Sequence, residues 1–455
     1  MIVVKFGGTS VGDAEAIRRA AAIVAARRNR QPIVVVSAMA GVTNALLALA
    51  EQSARGQLIG AIRSVEGIRE RHMQQAELLL GDGAESADVC AELSAMVDEL
   101  AHLTEALNTL GDVTPRSLDA IASYGEQLSS LLVVAAFKRC GLAAEHVDAR
   151  EIMITDDNYT RAEPNTDAIA EAARRLLLPL ARDGNIPVMG GYIGATEKHG
   201  VTTTLGRGGS DYSAALIGAA LQVEAIEIWT DVDGMLTADP RVVDRSRLLE
   251  RVGFDEASEL ASFGAKVLHP MTIYPAVRLG IPVRVLNSRR PEGNGTLITF
   301  EAPRRPVTAI AGKSGVTLIR VRTPRMLLRE GFMRTLFDIF HRHKASIDVV
   351  ATSEVSVSVT IDDAAQLETL LPELRQLGDV AIERSRGIVA VVGADLSAGG
   401  EHMARALRAL QETPVHMLSL SATGINLTIV VDGEQVAPVM RRLHDEFFGD
   451  GVAAE

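Results

Sequence analysis

A chain of 455 residues is too long for one ordinary core, so two or three domains are expected. Its 46 Lys and Arg against 58 Asp and Glu give a formal charge of −12, and only 4% of residues are aromatic. That balance speaks against a nucleic-acid binder, which is usually basic with interleaved aromatics, and no charge-free apolar run approaches eighteen residues, so no membrane span is expected.

The first predicted strand, residues 2–4, runs into Lys5, Gly7, Gly8, Thr9 and Ser10. A small-residue turn after a parallel strand leaves N–H groups free for an anion, and Lys5 adds a fixed positive charge. The spacing is not that of a P-loop, and an ordinary glycine turn beside a solvated Lys has the same composition. Helix is expected over 13–28 and strand over 33–36. The turn at 37–43 follows, bringing the hydroxyls of Ser37 and Thr43. A long helical region then reaches about 109, rich in Ala, Leu, Glu and Gln, and helix resumes near 117–140. Within it, Glu126 in S-Y-G-E places a carboxylate beside small residues, suited to pair with a substrate ammonium group.

Residues 202–205 read as a strand delivering Arg207 at its carboxyl end, within G-R-G-G-S-D. Arg207 suits a carboxylate or phosphate fork, and Ser210 or Asp211 can cap the helix expected over 210–222. Strand 224–229 leads to Thr230, Asp231, Asp233, Gly234, Asp239 and Arg241. Clustered carboxylates with glycine suit hydrated magnesium held through nucleotide phosphates, although the spacing is no EF-hand and no residue is assigned as a direct metal ligand. Arg241 and Lys266 offer cations to phosphate. This βα rhythm predicts an α/β domain with an open, mostly parallel sheet covered by helices. The pieces ask for phosphoryl transfer, which needs positioning and charge neutralisation more than a nucleophilic side chain.

Residues 302–306, A-P-R-R-P, read as a linker. Two units with the order β-α-β-β-α-β follow, the last strand of the second being poorly defined; each is about 70 residues and marginal alone. Pairing within or between chains would stabilise them. Cys90 and Cys140 are the only cysteines, neither in a C-x-x-C pair, and no signal peptide precedes the first strand, so a reducing cytoplasmic setting is expected.

K-F-G-G-T-S-V, V-V-S-A-M-A-G-V-T-N, S-Y-G-E, G-R-G-G-S-D-Y-S-A, W-T-D-V-D-G-M-L-T-A-D-P-R and G-A-K-V-L-H-P together resemble the aspartate kinases of the amino acid kinase superfamily. The resemblance spans nearly the whole chain. It implies a kinase domain over 1–301 and two ferredoxin-like ACT domains over 307–382 and 387–455, the second inserted in the first so that the final strand returns to it. It implies transfer from MgATP to the side-chain carboxylate of L-aspartate, the entry to lysine, threonine and methionine synthesis. Lys5 and Asp211 would be catalytic. Lys5, Gly7, Gly8, Thr230, Asp231, Arg241 and Lys266 would meet the nucleotide, with Leu236 where the family often has Tyr. Ser37, Thr43, Glu126 and Arg207 would hold aspartate. Met326, Gly331, Phe332, Met333, Asp348, Thr352, Ser353 and Glu354 match the family's effector pocket, for lysine or threonine, with Arg329 replacing a small hydroxyl residue. Asn426 resembles a residue of ACT effector or interface sites. A homo-oligomer, dimer or higher, is implied through the ACT domains. No G-x-G-x-x-G with a following acid accompanies these motifs, so a single activity is expected. The presence of Lys5, Arg207 and Asp211 together argues against a catalytically silent sensor.

Overall fold

The computed structural model describes residues 1–263, 270–324, 326, 330–362, 366–398 and 400–449. Chain order is β1 (Ile2–Phe6), α1 (Ala14–Ala25), β2 (Pro32–Val36), α2 (Val42–Ala54), α3 (Leu58–Leu80), α4 (Ala84–Leu110), α5 (Pro115–Arg139), β3 (Ala144–His146), β4 (Ile154–Thr155), α6 (Thr166–Arg182), β5 (Ile186–Gly190), β6 (Ile193–Thr196), β7 (Thr202–Thr204), α7 (Gly209–Leu221) and β8 (Ala225–Thr230). Next come β9 (Arg251–Val252), α8 (Phe254–Ser262), α9 (Pro270–Arg278), β10 (Val283–Asn287) and β11 (Thr296–Ile298). The remainder is β12 (Ala309–Arg322), α10 (Phe332–Arg342), β13 (Val350–Thr352), β14 (Ser356–Ile361), α11 (Leu367–Leu377), β15 (Asp379–Val392), α12 (Glu401–Leu410), β16 (Met417–Leu420), β17 (Asn426–Asp432) and α13 (Val436–Phe448).

Two compact units divide the chain, one of residues 1–235 with 267–300, the other of 236–266 with 301–455. The expected kinase boundary at 301 therefore differs from the packing. Residues 236–263 associate with the C-terminal unit, where Ile310 N donates to Thr237 O at 2.8 Å and Asn426 Nδ2 to Glu259 Oε2 at 2.8 Å. Asn426 is thus buried and engaged in holding α8 to β17, not available to an effector.

In the first unit the main sheet runs β3-β5-β2-β1-β8-β10-β11, parallel except between β10 and β11. Strand alternation sorts β1: Ile2, Val4 and Phe6 enter one core with Ile17, Leu46, Leu128 and Phe137, while Lys5 points to the other face. The long helical region is three helices, broken at Gly56 and again at Gly81 and Gly83, all at positive φ. Helix α5 starts from a Thr114 cap with Pro115 behind it. It is long and apolar enough to cross a membrane by composition, but 78% of the qualifying window is buried inside the protein, the signature of a core helix. Strands β4, β6 and β7 form a separate small sheet.

In the second unit the sheet order is β13-β14-β12-β15-β17-β16. Strands β12 and β15 are each fourteen residues long and pair along both halves, with register shifts between Ser314 and Leu318. The half containing α10 and α11 takes its first and last strands from residues 316–322 and 379–383. The half containing α12 and α13 begins with residues 387–392 and takes its outer strand from 309–314. Both halves then have the ferredoxin-like order 4-1-3-2. The expected nesting is reversed: the first repeat is inserted into the second. The strand missing from the end of the second repeat, after α13, lies ahead of the first repeat as residues 309–314. Each half has its own core, Leu336, Phe340 and Leu370 in one and Leu396, Leu410 and Leu443 in the other.

Candidate active site

Strand order reverses on either side of β1, so its carboxyl end and that of β8 border the crevice where open α/β sheets hold ligands. Gly7 N donates to Trp229 O at 2.9 Å, locking the turn after β1 to the end of β8. Gly8 is required sterically. A Cβ there would lie 2.8 Å from the Ala38 carbonyl oxygen, and Ala40 N already donates to Gly8 O at 3.0 Å. A Cβ on Gly7 would meet only ordinary contacts, one of them the Lys5 Nζ at 3.7 Å, so glycine leaves room beside that ammonium. Gly8→Ala should displace the 37–41 turn and lower turnover about 10-fold or more. Steady-state rates with a thermal melt would check this, and unchanged turnover would contradict it.

Lys5, 7% exposed, forms an ion pair of 2.5 Å with Asp211 in the first turn of α7. The sequence suggested that Ser210 or Asp211 caps this helix. Instead Gly208, at φ 74°, is the cap, which leaves Asp211 inside the helix and free to reach Lys5. Ser10 also differs from expectation. It is buried, and its hydroxyl is shared with Ser288 Oγ at 2.7 Å and Trp229 O at 3.2 Å, so it is not a donor for an anion. Thr9 is exposed.

Glu126 is 3% exposed. Ala38 N donates to its Oε1 at 3.1 Å, and Oε2 has no partner. Burial pushes its carboxyl up to about 8, against the opposing pull of the Ala38 amide and the nearby Lys5 ammonium. Close glycine contacts build this pocket: a Cβ on Gly125 would sit 2.8 Å from Ala38 Cβ, and one on Gly190 3.1 Å from Glu126 Cβ. Ser37 follows β2 with its N–H on Phe6 O at 3.1 Å. Thr43 lies in the first turn of α2, whose Gly41 cap at φ 82° supplies no side-chain partner to the helix amides. Arg207 is exposed between Gly206 and Gly208, both at positive φ, and is delivered by β7 of the small sheet, not by the main sheet.

Thr230 and Asp231 follow β8, with Thr230 Oγ1 donating to Asp231 Oδ1 at 3.3 Å. Asp233 is neutralised by Arg290 at 2.5 Å and accepts from Asn287 Nδ2 at 2.7 Å, so its carboxylate is already engaged. Among the described residues no group of three His, Cys, Asp or Glu is placed to hold a metal. Arg241 belongs to the second unit, exposed and chelated by Asp239. Leu236 also lies there, bridged to Leu248. Lys266 and Arg329 lie outside the described residues. The structure thus brings Lys5, Asp211, Gly7, Gly8, Ser37 and Glu126 around one crevice. Sequence reasoning missed Asp119, whose only local signal was its place two turns before Glu126.

Of the expected effector residues, Phe332 is a core side chain and Met326 packs, partly buried, against the same core, while Gly331 at φ 81° opens α10. Asp348 is paired with Lys313 at 3.0 Å, and Lys313 also with Asp362 at 2.6 Å. Thr352, Ser353 and Glu354 are exposed.

An anion turn after β1, a lysine braced by a helix-borne carboxylate and an open parallel sheet define a small-molecule kinase. The amino acid kinase family model matches residues 1–287. The chain is 37% identical to lysine-sensitive aspartokinase 3 of Escherichia coli over 98% of its own length and 99% of that protein's, and 34% identical to the chloroplastic aspartokinase 3 of Arabidopsis thaliana over 98% and 81%. It is also similar to the crystal structure of E. coli aspartokinase III in complex with aspartate and ADP (R-state), with a TM-score of 0.88 at 38% identity, covering 98% of this chain and 100% of that one. The complex of that enzyme with lysine and aspartate (T-state) gives a TM-score of 0.81 at 38% identity, covering 98% and 99%. The chain belongs to the amino acid kinase family and, within it, to the aspartokinases.

Proposed function

We propose that this chain transfers the γ-phosphoryl group of ATP to the side-chain carboxylate of L-aspartate, giving 4-phospho-L-aspartate and ADP, under feedback control by an end-product amino acid. The observation that carries the reading is the unpartnered Glu126 oxygen in the pocket that also holds the Lys5–Asp211 pair. A buried carboxylate without a counter-charge is costly, and a substrate ammonium removes that cost. Arg207 forks the α-carboxylate, while Ser37 and Thr43 line the same site. The side-chain carboxylate is left facing the nucleotide and is already ionised near neutral pH, so no general base is needed. Its oxygen bonds to the γ-phosphorus as the bond to the β–γ bridging oxygen breaks. Lys5 neutralises charge on the transferring group, Asp211 aims Lys5, and the Gly7 and Gly8 turn holds phosphate oxygens. Thr230 and Asp231 serve the nucleotide side.

Magnesium enters as an ion carried by the nucleotide phosphates and water, where it would supply charge neutralisation of the polyphosphate. The free thiols of Cys90 and Cys140 suit a reducing cytoplasm. Association through the ACT-type halves into a dimer or larger assembly completes the proposal, and light scattering tests it. The activity is tested by trapping acyl phosphate with hydroxylamine in the presence of MgATP and L-aspartate, alone and with lysine, threonine or both. Folded protein that yields no hydroxamate would overturn the reading.

An effector ammonium at Asp348 competes with Lys313, which pairs with that carboxylate at 3.0 Å. Burial raises the Asp348 carboxyl, and Lys313 opposes that shift. Lys313→Met should therefore tighten inhibition, lowering the concentration of inhibiting amino acid at half-effect about 10-fold. Inhibition curves that overlay the wild type, or shift upward, would remove Asp348 from effector binding.

A further inference from the structure

We infer that Asp119 is a positioning residue for the substrate clamp, holding the strand that presents Arg207 at a fixed offset from Glu126. The inference rests on reading Glu126 and Arg207 as the two ends of an amino-acid clamp. Asp119 is 1% exposed in the second turn of α5. Glu126 follows seven residues later, two turns along the same face and about 10 Å up the axis. One rigid helix therefore carries both acids.

The hydrogen bonds of Asp119 point across to the clamp's other arm. Its Oδ1 accepts from Thr204 Oγ1 at 2.6 Å, and its Oδ2 accepts from Thr204 N at 3.0 Å and Thr160 N at 2.9 Å. Thr204 is the last residue of β7, three positions before Arg207. Thr160 is a β-branched residue at φ 70°, a conformation that needs outside support. Its carbonyl oxygen lies 3.2 Å from where a Cβ on Gly206 would stand, so the 156–162 loop walls the residue next to Arg207. Asp119 thus ties both supports of the Gly206-Arg207 turn to the helix that bears Glu126. Every hydrogen-bond donor to it is neutral, and burial raises its carboxyl. The group is retained at a desolvation cost that a tie between two surface loops would not require.

The test is a cycle of Asp119→Ala, Arg207→Ala and the double variant, read as KM for L-aspartate and for ATP by hydroxamate trapping and ADP release. Asp119→Ala should raise KM for aspartate about 10-fold or more, with KM for ATP within about twofold. Asp119→Asn should restore most of the loss, because its amide oxygen can accept both backbone N–H groups while its NH2 donates to Thr204 Oγ1. In the Arg207→Ala background, Asp119→Ala should add little, since it acts through Arg207. If Asp119→Ala does not fold, Thr204→Val removes one of the same bonds and should raise KM for aspartate in the same direction by a smaller factor. Full additivity in the cycle, or equal rises in both KM values, would overturn the positioning role and leave the clamp intact. An unchanged aspartate KM in Arg207→Ala would instead overturn the clamp itself.

Discussion

Lys5→Met should lower kcat about 100- to 1,000-fold, the usual loss when one preorganised charge facing a transition state is removed. The variant also leaves Asp211, whose side chain is only 14% exposed, without its cation, so stability should fall by about 3 kcal/mol. The two effects separate in a double variant. Lys5→Met with Asp211→Asn removes the orphaned charge and should recover much of the melting temperature while kcat stays low. Recovery of turnover alongside stability would mean that Lys5 serves the fold and not phosphoryl transfer.

Glu126→Gln should raise KM for aspartate roughly 10- to 100-fold, the worth of a hydrogen bond to a charged group, with KM for ATP little changed. The same residue sets two pH signatures. In the free protein the carboxyl is protonated below about 8, so aspartate must capture the ionised form. Aspartate affinity should rise as pH climbs towards 8, by at most tenfold per unit, and the Glu126→Gln variant should lose that slope. The stability signature has the opposite sign. The folded carboxyl sits above its unfolded value of 4.5, so the folded state binds more protons between 4.5 and about 8, and this group's contribution falls as pH rises through that window. The melting temperature of Glu126→Gln should overtake that of the wild type between pH 6 and pH 9. Saturating aspartate should flatten the wild-type curve by supplying the missing counter-charge. Parallel curves at all pH values, with and without aspartate, would show that Glu126 never meets an ammonium group.

The legible parts of the molecule were those whose physics is local. β1, β2 and β8 are short apolar runs ending in small or polar residues, and the glycine turn after β1 sits where the parallel sheet keeps its ligand. Lys5 was readable because a charge at the end of an apolar strand has few other uses. Its partner Asp211 looked like a helix cap, and only the positive φ of Gly208 shows that the helix starts without it. Ser10 carries the same side chain whether it faces a phosphate or Ser288, and 278 residues separate the two. Asp119 and Glu126 were both acids on one helix. What distinguishes them is the set of donors brought over from Thr160 and Thr204, which no spacing encodes. The order of strands and helices in the two repeats was right, yet their nesting was not. A strand placed before or after its repeat has the same local pattern, and only the pairing of 309–314 with 387–392 decides it.

That pairing places Ser314 directly opposite Gly387, with Lys313 opposite Ile388. Residues 315–386 therefore stand where a simple β-hairpin would have its tip. The half containing α10 and α11 is topologically an insertion hung on a ladder whose rungs are complete without it. Joining 314 to 387 through a two-residue Asn-Gly turn would leave the second half with all four of its strands, both helices and an unbroken core. Among the charged links that such a closure would cut is that of Lys313, which stays on the ladder while its partners Asp348 and Asp362 leave with the inserted half.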